Sequence, residues 1–180
     1  MEYGSALEAY TKEIAKGHIK DVLDIGTKRV KEEAPTHGKR YYNYPVKYVM
    51  TDMQDGLDVD VISNAHTMST VFGCNSFDAI YSDAVFEHIE KPWLASQEMF
   101  KVLRPGGVFY HRTVFIFAEH WYPSDYFRYT QFGLRSVFDW ATDIETNYNH
   151  QAKIISGLYP EGQSSEIWQY VSIFGRKPCT

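Results

Sequence analysis

The feature of this sequence that most constrains its fold is a succession of short apolar runs, each followed by a glycine or a polar residue. The first run, Asp21-Val22-Leu23-Asp24-Ile25, ends at Gly26. Four such runs occupy residues 21–25, 46–50, 59–62 and 77–81, and a fifth begins at Val108. Short strands that are apolar at most positions are typical of a parallel sheet covered by helices. The sequence therefore predicts an α/β fold.

Segments with helical spacing lie between and after these runs. Leu7, Tyr10 and Ile14 recur at helical intervals before Gly17, and Arg104-Pro105-Gly106-Gly107 ends a second helical segment. Helices are predicted over residues 6–16, 91–102 and 130–140. Thr130 is placed to cap the third helix, whose predicted apolar face consists of Phe132, Leu134, Val137 and Phe138.

The end of the chain has a different pattern. Two β-rich runs, residues 152–156 and 168–174, flank a segment that contains Pro160, Gly162 and two serines. Strand-forming residues on both sides of a turn-rich segment predict an antiparallel hairpin. We therefore expect the sheet to end in an antiparallel pair.

Composition limits the class of protein and its partners. A chain of 180 residues with 44% hydrophobic and 23% charged residues predicts one globular domain, spanning residues 1–180. It contains neither the run of about 20 apolar residues that a membrane-spanning helix needs nor a secretory signal, so we expect no membrane partner and a cytoplasmic location. The net charge of −5 argues against nucleic acid and favours a small-molecule acceptor.

Cysteine and histidine spacing gives no metal signature. Cys74 and Cys179 are far apart and are predicted to be free thiols. Several histidines lack metal-ligand spacing, and neither H-E-x-x-H nor C-x-x-C occurs; they are His18, His37, His66 and His150. The sequence predicts no catalytic metal.

Polar residues follow the predicted strands where a ligand would bind. In an open α/β sheet, ligands lie beyond the carboxyl ends of the strands. An adenosyl group would suit the residues there: Gly26 permits close backbone approach, Asp24 can accept a hydrogen bond from an amino group, Asp52 can bind both ribose hydroxyls, and Asn64 can bind the amino edge of adenine.

Four ordered motifs make the chain resemble class I S-adenosylmethionine-dependent methyltransferases, the broad group typified by small ubiquinone-pathway domains. They are Val22-Leu23-Asp24-Ile25-Gly26, Phe77-Asp78-Ala79-Ile80, Val85-Phe86-Glu87-His88-Ile89 with Pro92, and Val102-Leu103-Arg104-Pro105-Gly106-Gly107. The resemblance implies a Rossmann-like three-layer sandwich with a seven-stranded, mostly parallel sheet of order 3-2-1-4-5-7-6. It implies S-adenosyl-L-methionine as cofactor and S-adenosyl-L-homocysteine as product. The residues predicted to bind it are Asp24, Gly26, Thr27, Asp52, Met53, Asn64, Ala65, His66, Ser82 and Asp83.

The first turn departs from the family pattern. Many members carry a second glycine two residues after the first, whereas here Gly26 is followed by Thr27-Lys28-Arg29. A nicotinamide-dependent oxidoreductase is disfavoured more strongly than a methyltransferase, because a pyrophosphate needs the glycine-rich turn and a methyl donor carries no phosphate. The crowded turn also leaves open a catalytically silent domain that binds S-adenosylmethionine or S-adenosylhomocysteine.

Candidate acceptor-side residues come after the fourth and fifth strands. A general base is needed only when the acceptor loses a proton as it attacks, and the candidates are His88, His111 and His120. The segment 120–130 resembles an acceptor-facing segment of related methyltransferases and contributes His120, Asp125 and Arg128 as the predicted catalytic residues. An ordinary surface pair between Asp125 and Arg128 is as well supported by the sequence, and a structural role is favoured for Glu87 and His88.

The sequence thus predicts an enzyme that transfers a methyl group from S-adenosylmethionine to an O, N or C centre of a small molecule. The acceptor, the methylated atom and the oligomeric state are not specified by any feature of the sequence.

Overall fold

The structure is a computed structural model that describes residues 5–29, 38–121, 123–154 and 165–179. Within these residues, helices and strands alternate along the chain, and two short 3-10 turns cover Gly38–Tyr41 and Phe86–His88. The helices are α1 (Ser5–Ala15), α2 (Met68–Phe72), α3 (Pro92–Val102) and α4 (Gln131–Val137). The strands are β1 (Asp21–Ile25), β2 (Lys47–Asp52), β3 (Val61–Ile62), β4 (Phe77–Asp83), β5 (Leu103–Val114), β6 (Thr142–Ile154) and β7 (Ser165–Arg176).

The strands form one seven-stranded sheet of order β3-β2-β1-β4-β5-β7-β6. β1 to β5 pair in parallel, whereas β7 pairs antiparallel with both β5 and β6. The α/β class, the strand order and the closing hairpin predicted from the sequence are confirmed. The hairpin strands are much longer than predicted, and the predicted connecting residues Pro160 and Gly162 lie outside the described residues.

Helices and loops cover both faces of the sheet, which gives three layers. Alternation along β1 sends Leu23 and Ile25 to one face and Val22 and Asp24 to the other. The first face packs against α2, α3 and α4 through Met68, Met99, Phe109, Leu134 and Phe138. The second packs against α1 and a tyrosine-rich segment through Ala6, Tyr10, Ile14, Tyr41, Tyr42, Tyr44 and Tyr48.

The turn predicted between the second long helix and the fifth strand is instead part of β5. The strand begins at Leu103, opposite Phe77, and its register shifts before Val108 pairs with Ala79. The extra residues of the Arg-Pro-Gly-Gly motif therefore form an irregularity within the ladder. The Arg104 guanidinium lies 2.8 Å from Asp21 and 2.7 Å from Asp78, so two of the family motifs are joined by an ion pair at the amino ends of the strands.

The final helix is shorter than predicted. Thr130 caps it as expected, because its Oγ1 accepts a hydrogen bond of 3.0 Å from the Gly133 amide, but the helix ends at Val137 and not at residue 140. Leu134 and Phe138 are buried, whereas Phe132 is 85% exposed, so its predicted place on the apolar face is wrong. Among the described helices, none is long and apolar enough to span a membrane.

Candidate active site

A cleft of about 540 Å³ opens at the carboxyl ends of β1, β2 and β4. Its volume lies within the range of about 300–1,000 Å³ that is usual for small-molecule sites. One side of the cleft is lined by Gly26, Lys28, Asp52, Met53, Asn64, Ala65, His66, Asp83 and Val85. The other side is lined by His88, Glu90, His120, Pro123 and Tyr126.

The turn after β1 brings main chain to the surface of the cleft. Gly26 has a positive φ of 77°, and its amide donates to the Thr51 carbonyl oxygen over 2.8 Å. A Cβ added at Gly26 would lie 2.2 Å from Val85 Cγ2. Both the backbone conformation and the contact with Val85 therefore require glycine.

The residues after Gly26 leave the cleft open. The Thr27 side chain is buried and its Oγ1 donates to the Asp58 carbonyl oxygen over 2.6 Å, so Thr27 is outside the cleft lining. Lys28 lines the cleft, and its Nζ donates to Gln54 Oε1 over 2.7 Å. The bulky residues that replace the second family glycine thus point into the protein or along the rim.

Asp52 lies at the carboxyl end of β2, within the cleft lining. Its Oδ2 accepts from the Lys28 amide over 3.2 Å and its Oδ1 accepts from the Gln54 amide over 3.0 Å. These two hydrogen bonds fix the carboxylate while leaving further lone pairs on both oxygens. Met53, which also lines the cleft, is 55% exposed.

The segment after β3 supplies the next group of lining residues. Asn64 is exposed, and its Oδ1 accepts from the His66 amide over 2.9 Å, which leaves the Asn64 amide group free to turn toward a ligand. Ala65 packs against the core. Nε2 of His66 is buried and has no hydrogen-bond partner among the described residues.

Asp24 lies beneath the turn and not in the cleft lining. Its Oδ2 accepts from the Tyr48 hydroxyl over 2.6 Å and from the Gly38 amide over 2.9 Å. Burial raises the pKa of this carboxyl to about 7, although the two hydrogen bonds favour the ionised form. Its predicted contact with the methionine end of the cofactor therefore lacks support from this geometry.

Ser82 and Asp83 occupy opposite faces of β4. Ser82 is fully buried and lies outside the cleft lining, whereas Asp83 lines the cleft. The Arg112 Nε and Nη2 atoms donate to the Asp83 oxygens over 2.6 and 2.7 Å. Burial lowers the pKa of the Arg112 guanidinium, but the bidentate ion pair outweighs this and raises the pKa overall. The pair also holds the end of β4 against β5.

Residues 117–121 and 123–129, here called the 117–129 loop, close the far side of the cleft. The Tyr126 amide donates to the Glu87 carbonyl oxygen over 2.7 Å, and the Tyr129 hydroxyl donates to the Phe86 carbonyl oxygen over 3.0 Å. The loop is thus fastened to the Phe86–His88 turn that follows β4.

Asp125 and Arg128 organise this loop from within. The Asp125 side chain is buried, and it accepts two bonds from the Arg128 guanidinium and one of 2.9 Å from the His120 amide. Arg128 also donates to the carbonyl oxygens of Phe117 and Ala118. Arg128 holds the pKa of Asp125 well below its usual range. Neither residue lines the cleft, so the arrangement supports a structural role rather than the predicted catalytic one.

The three candidate bases differ in position. His88 and His120 line the cleft, and their ring centroids are 4.8 Å apart. His111 is fully buried against Phe86 and Phe138, and this burial lowers its pKa to about 3. Two of the three therefore face the space where an acceptor would bind.

Comparison with known proteins gives the family. Residues 4–111, more than half of the chain, match the family described as methyltransferase domain. This chain belongs to that family. No curated protein matches it significantly.

Solved structures share the fold of this methyltransferase domain at low sequence identity. A methyltransferase described as dependent on S-adenosylmethionine, from Archaeoglobus fulgidus, has a TM-score of 0.63 at 14% identity, with 94% of each chain covered. The 1,6-didemethyltoxoflavin-N1-methyltransferase of Burkholderia thailandensis, solved with bound 1,6-didemethyltoxoflavin and S-adenosylhomocysteine, has a TM-score of 0.61 at 14% identity, covering 97% of this chain and 79% of that one. A Haemonchus contortus phosphoethanolamine N-methyltransferase has a TM-score of 0.61 at 14% identity, covering 94% of this chain and 52% of that one.

The predicted class I methyltransferase family and its cofactor, S-adenosylmethionine, are confirmed. Sequence reasoning placed most of the polar strand-end residues in the cleft but omitted several lining residues. The omitted residues include Lys28, Gln54, Val85, Glu90, Pro123 and Tyr126. The motif from Val85 to Ile89 could have predicted Val85 and Glu90 as lining residues. It follows the end of β4, and residues that follow a strand end lie at the same edge of the sheet as that end.

Proposed function

We propose that this methyltransferase domain transfers the methyl group of S-adenosylmethionine to an O, N or C centre of a small-molecule acceptor. One observation carries the proposal. The residues Gly26, Asp52 and Asn64, at or after strand ends, line the same cleft as the imidazoles of His88 and His120. The first group has the chemistry to hold an adenosyl ligand, and the second can hold or accept a proton.

The cofactor would lie along the ends of β1 to β4. Asp52 keeps free lone pairs on a fixed carboxylate, which suits two ribose hydroxyls. Asn64 and His66 offer polar groups for adenine, beside the apolar Ala65. Gly26 lets the main chain approach the methionine end closely, and the paired carboxylate of Asp83 lies on the same side.

The acceptor would enter between the Phe86–His88 turn and the 117–129 loop. S-adenosylmethionine supplies the methyl group and its own sulfur leaving group, so the protein contributes mainly positioning and the exclusion of water. Pro123 and Tyr126 line this part of the cleft and provide apolar surface. Asp125 acts through the loop, because it fixes the main chain that carries His120.

His120 is the first candidate for the base when the acceptor loses a proton. Its Nδ1 lies 3.1 Å from the Ala118 carbonyl oxygen, which can only accept a hydrogen bond, so Nδ1 carries the proton of the neutral ring. Nε2 then keeps a lone pair for the acceptor proton. His88 is held in the same way, with Nδ1 2.6 Å from the Ser124 carbonyl oxygen.

Two observations favour a small acceptor. The chain has a net charge of −5, which disfavours a phosphate backbone. In addition, the Burkholderia and Haemonchus relatives were solved with small acceptor molecules, 1,6-didemethyltoxoflavin and phosphomonomethylethanolamine.

The test is calorimetric titration of the purified chain with S-adenosylmethionine, S-adenosylhomocysteine and NAD. We expect both sulfur ligands to bind and NAD to fail. Asp52→Ala should weaken adenosyl binding about a hundredfold or more, since two hydrogen bonds to a charged group are lost at about 1.5 kcal/mol or more each. The control is Asp55→Ala, which removes an exposed carboxylate three residues away that lies outside the cleft lining.

Turnover is tested separately, by release of S-adenosylhomocysteine over a panel of O, N and C acceptors. Absence of binding by either sulfur ligand would contradict the proposal as a whole. Binding without turnover on any acceptor class would instead support the catalytically silent domain. Equal affinities of Asp52→Ala and Asp55→Ala would remove Asp52 from the ribose site.

A further inference from the structure

Three side chains from two parts of the sequence converge next to the proposed acceptor side of the cleft. Glu87 and His88 belong to the turn after β4, and His120 belongs to the 117–129 loop. The two histidines line the cleft, whereas Glu87 is fully buried outside its lining. One potential metal-ligating atom from each lies within 4.8 Å of one from each of the others. Small side-chain rotations can bring three atoms at such a spacing around one ion, with the bond lengths of about 2.0–2.2 Å that imidazole nitrogens and carboxylate oxygens make to zinc.

The Glu87 carboxylate is buried with one oxygen lacking a partner. The residue is fully buried, and Oε2 accepts a hydrogen bond of 2.7 Å from Thr113 Oγ1. Oε1 is buried and has no hydrogen-bond partner among the described residues. A buried carboxylate oxygen without a donor is costly unless a cation or a proton satisfies it. This oxygen belongs to the same group of three side chains as the two imidazoles.

Both histidines are held in the tautomer that binds metal through Nε2. The Ser124 carbonyl oxygen lies 2.6 Å from His88 Nδ1, and the Ala118 carbonyl oxygen lies 3.1 Å from His120 Nδ1. The buried Asp125 carboxylate is also 3.3 Å from His120 Nδ1. Hydrogen bonds from a carbonyl or carboxylate to the non-ligating nitrogen are the usual surroundings of a metal-bound histidine.

The local charge also favours a cation. Two carboxylates, Glu87 and Asp125, lie near one guanidinium, Arg128, and that guanidinium is already bonded to Asp125. With neutral imidazoles and an ionised Glu87, these groups carry a net charge of about −1. Burial raises the pKa of Glu87, as expected for a carboxyl that lacks a cation beside it. A divalent ion would reverse this excess and satisfy the free oxygen of Glu87.

We propose that Glu87, His88 and His120 bind a divalent transition-metal ion, with zinc as the best-matched candidate, at the acceptor side of the cleft. Two imidazoles and one carboxylate are a known zinc ligand set that leaves coordination positions for water or for a ligand heteroatom. The bound ion would face the space proposed for the acceptor. We therefore expect the acceptor to carry an oxygen or nitrogen atom that can coordinate the metal.

The metal site rests on the proposed function and changes the role proposed there for His120. An ion on Nε2 of His120 occupies the lone pair that would otherwise accept a proton. In the loaded protein, the ion instead lowers the pKa of a coordinated hydroxyl or water. Metal binding itself does not require methyl transfer, so it can be tested without any acceptor.

The experiment titrates the metal-stripped full chain with ZnCl₂ by calorimetry and with CoCl₂ by visible absorption. The background carries Cys74→Ser and Cys179→Ser, because both thiols are exposed and would bind zinc themselves. We expect one ion per chain, and a cobalt spectrum with the d–d bands of nitrogen and oxygen ligands. The cobalt spectrum reports the ligand type without any change to the cluster.

Three variants and one control assign the ligands. His88→Ala, His120→Ala and Glu87→Gln should each weaken zinc binding by about tenfold or more. Loss of a residue that only hydrogen-bonds to a metal ligand already weakens metal binding by about 10–100-fold. Glu87→Gln keeps an acceptor for Thr113. His18→Ala is the matched control, because its exposed ring lies before β1, outside the cleft lining, and its affinity should equal that of the background protein.

Each outcome decides the proposal. Absence of zinc and cobalt binding, or binding that survives the loss of either imidazole, would overturn it. Binding lost in both histidine variants but unchanged in Glu87→Gln would overturn the carboxylate as a ligand. S-adenosylhomocysteine titrations of the same samples keep the two proposals apart, since metal binding without adenosyl binding would contradict the proposed function alone, and the reverse would contradict the metal site alone.

Discussion

The burial of Asp24 could not be predicted from its position in the sequence. The residue is the last but one of an apolar strand, beside the Gly26 turn, and its carboxyl is buried and bonded to Tyr48 and Gly38 on the α1 face of the sheet. Burial raises its pKa from 3.8 to about 7. The folded state therefore holds a proton that the unfolded chain releases at lower pH.

The consequence is a pH-dependent stability with a defined sign. Protonated Asp24 contributes to the free energy of unfolding. This contribution is fully present below the ordinary aspartate pKa and is lost as the pH rises through about 7. Asp24→Asn keeps an acceptor for both hydrogen bonds and cannot titrate. We expect the free energy of unfolding of the unmodified protein to fall relative to this variant between about pH 4 and pH 7, by up to about 1.4 kcal/mol per pH unit.

Denaturant unfolding at several pH values measures this difference. Asp55→Asn, at an exposed position, is the control and should follow the unmodified protein. Parallel stability curves for the unmodified protein and Asp24→Asn would contradict a raised pKa.

Gly26 allows a second prediction at the residue scale. Gly26→Ala should destabilise the fold by about 1–3 kcal/mol through its positive φ, and by more because the new Cβ would overlap Val85. Gly17→Ala is a matched control, since Gly17 also has a positive φ but nothing lies within 4 Å of its Cβ position. Thermal melts should show a greater loss for Gly26→Ala, and equal losses would show that the contact with Val85 does not constrain the turn.

Strand alternation explains which site residues the sequence could predict. Asp52 is the last residue of β2, while Asn64 and His66 follow β3, and the edge of a parallel sheet brings such residues together wherever their strands lie. Asp24 and Ser82 each lie one residue before the last residue of their strand, so the face on which each side chain lies depends on the pleat and on the packing of neighbouring segments. Position near a strand end was therefore a good predictor for the last strand residues Asp52 and Asp83 and for the loop after β3, and a poor one for the residue before the last.

At the scale of elements, the 117–129 loop, the proposed acceptor side of the cleft, is held by a small number of polar contacts. Arg128 joins Asp125 to the carbonyl oxygens of Phe117 and Ala118. Arg128→Ala would leave a buried carboxylate without its cation, which is strongly destabilising for the structure that surrounds it. We expect faster amide hydrogen exchange across residues 117–129 and little change in the strands of the sheet.

Arg135→Ala is the control for this experiment, because Arg135 is an exposed arginine on α4 whose guanidinium donates to Thr146. It should leave exchange in the loop unchanged. Unchanged exchange in Arg128→Ala would show that the loop is held by its contacts with the Phe86–His88 turn and not by the ion pair.

The elements themselves could be predicted to different degrees. Apolar spacing located α1, α3 and the parallel strands, because buried faces require that pattern. It did not reveal α2, which has only five residues from Met68 to Phe72, too few for a helical period to be recognised. The length of β6 could not be predicted either, because the strand is mostly polar, with Thr146 and Asn147 side by side, and is held by pairing with β7 along most of its length.

At the scale of the whole molecule, the cleft joins the sheet to one of its two flanking layers. The proposed cofactor side is formed by strand ends, whereas the proposed acceptor side is formed by the Phe86–His88 turn and the 117–129 loop, whose Phe86 and Tyr129 belong to the same core as α3 and α4. A ligand that spans both sides should therefore stabilise the entire fold. At a concentration about 100 times its Kd, S-adenosylhomocysteine should raise the free energy of unfolding by about 2.7 kcal/mol.

A thermal melt with increasing ligand concentration measures this effect, and NAD serves as the control nucleotide. The melting temperature should rise with the logarithm of S-adenosylhomocysteine concentration and remain constant with NAD. A rise with NAD alone would contradict the assignment of the cleft to a ligand without phosphates.

The most direct measurement of the central claim is a crystal structure of the chain with S-adenosylhomocysteine. We predict density for the ligand in the cleft, with the ribose hydroxyls at Asp52, the adenine beside Asn64 and His66, and the sulfur directed toward His88 and His120. Density for the ligand elsewhere on the protein, or in the cleft with its sulfur directed away from the two imidazoles, would contradict this account.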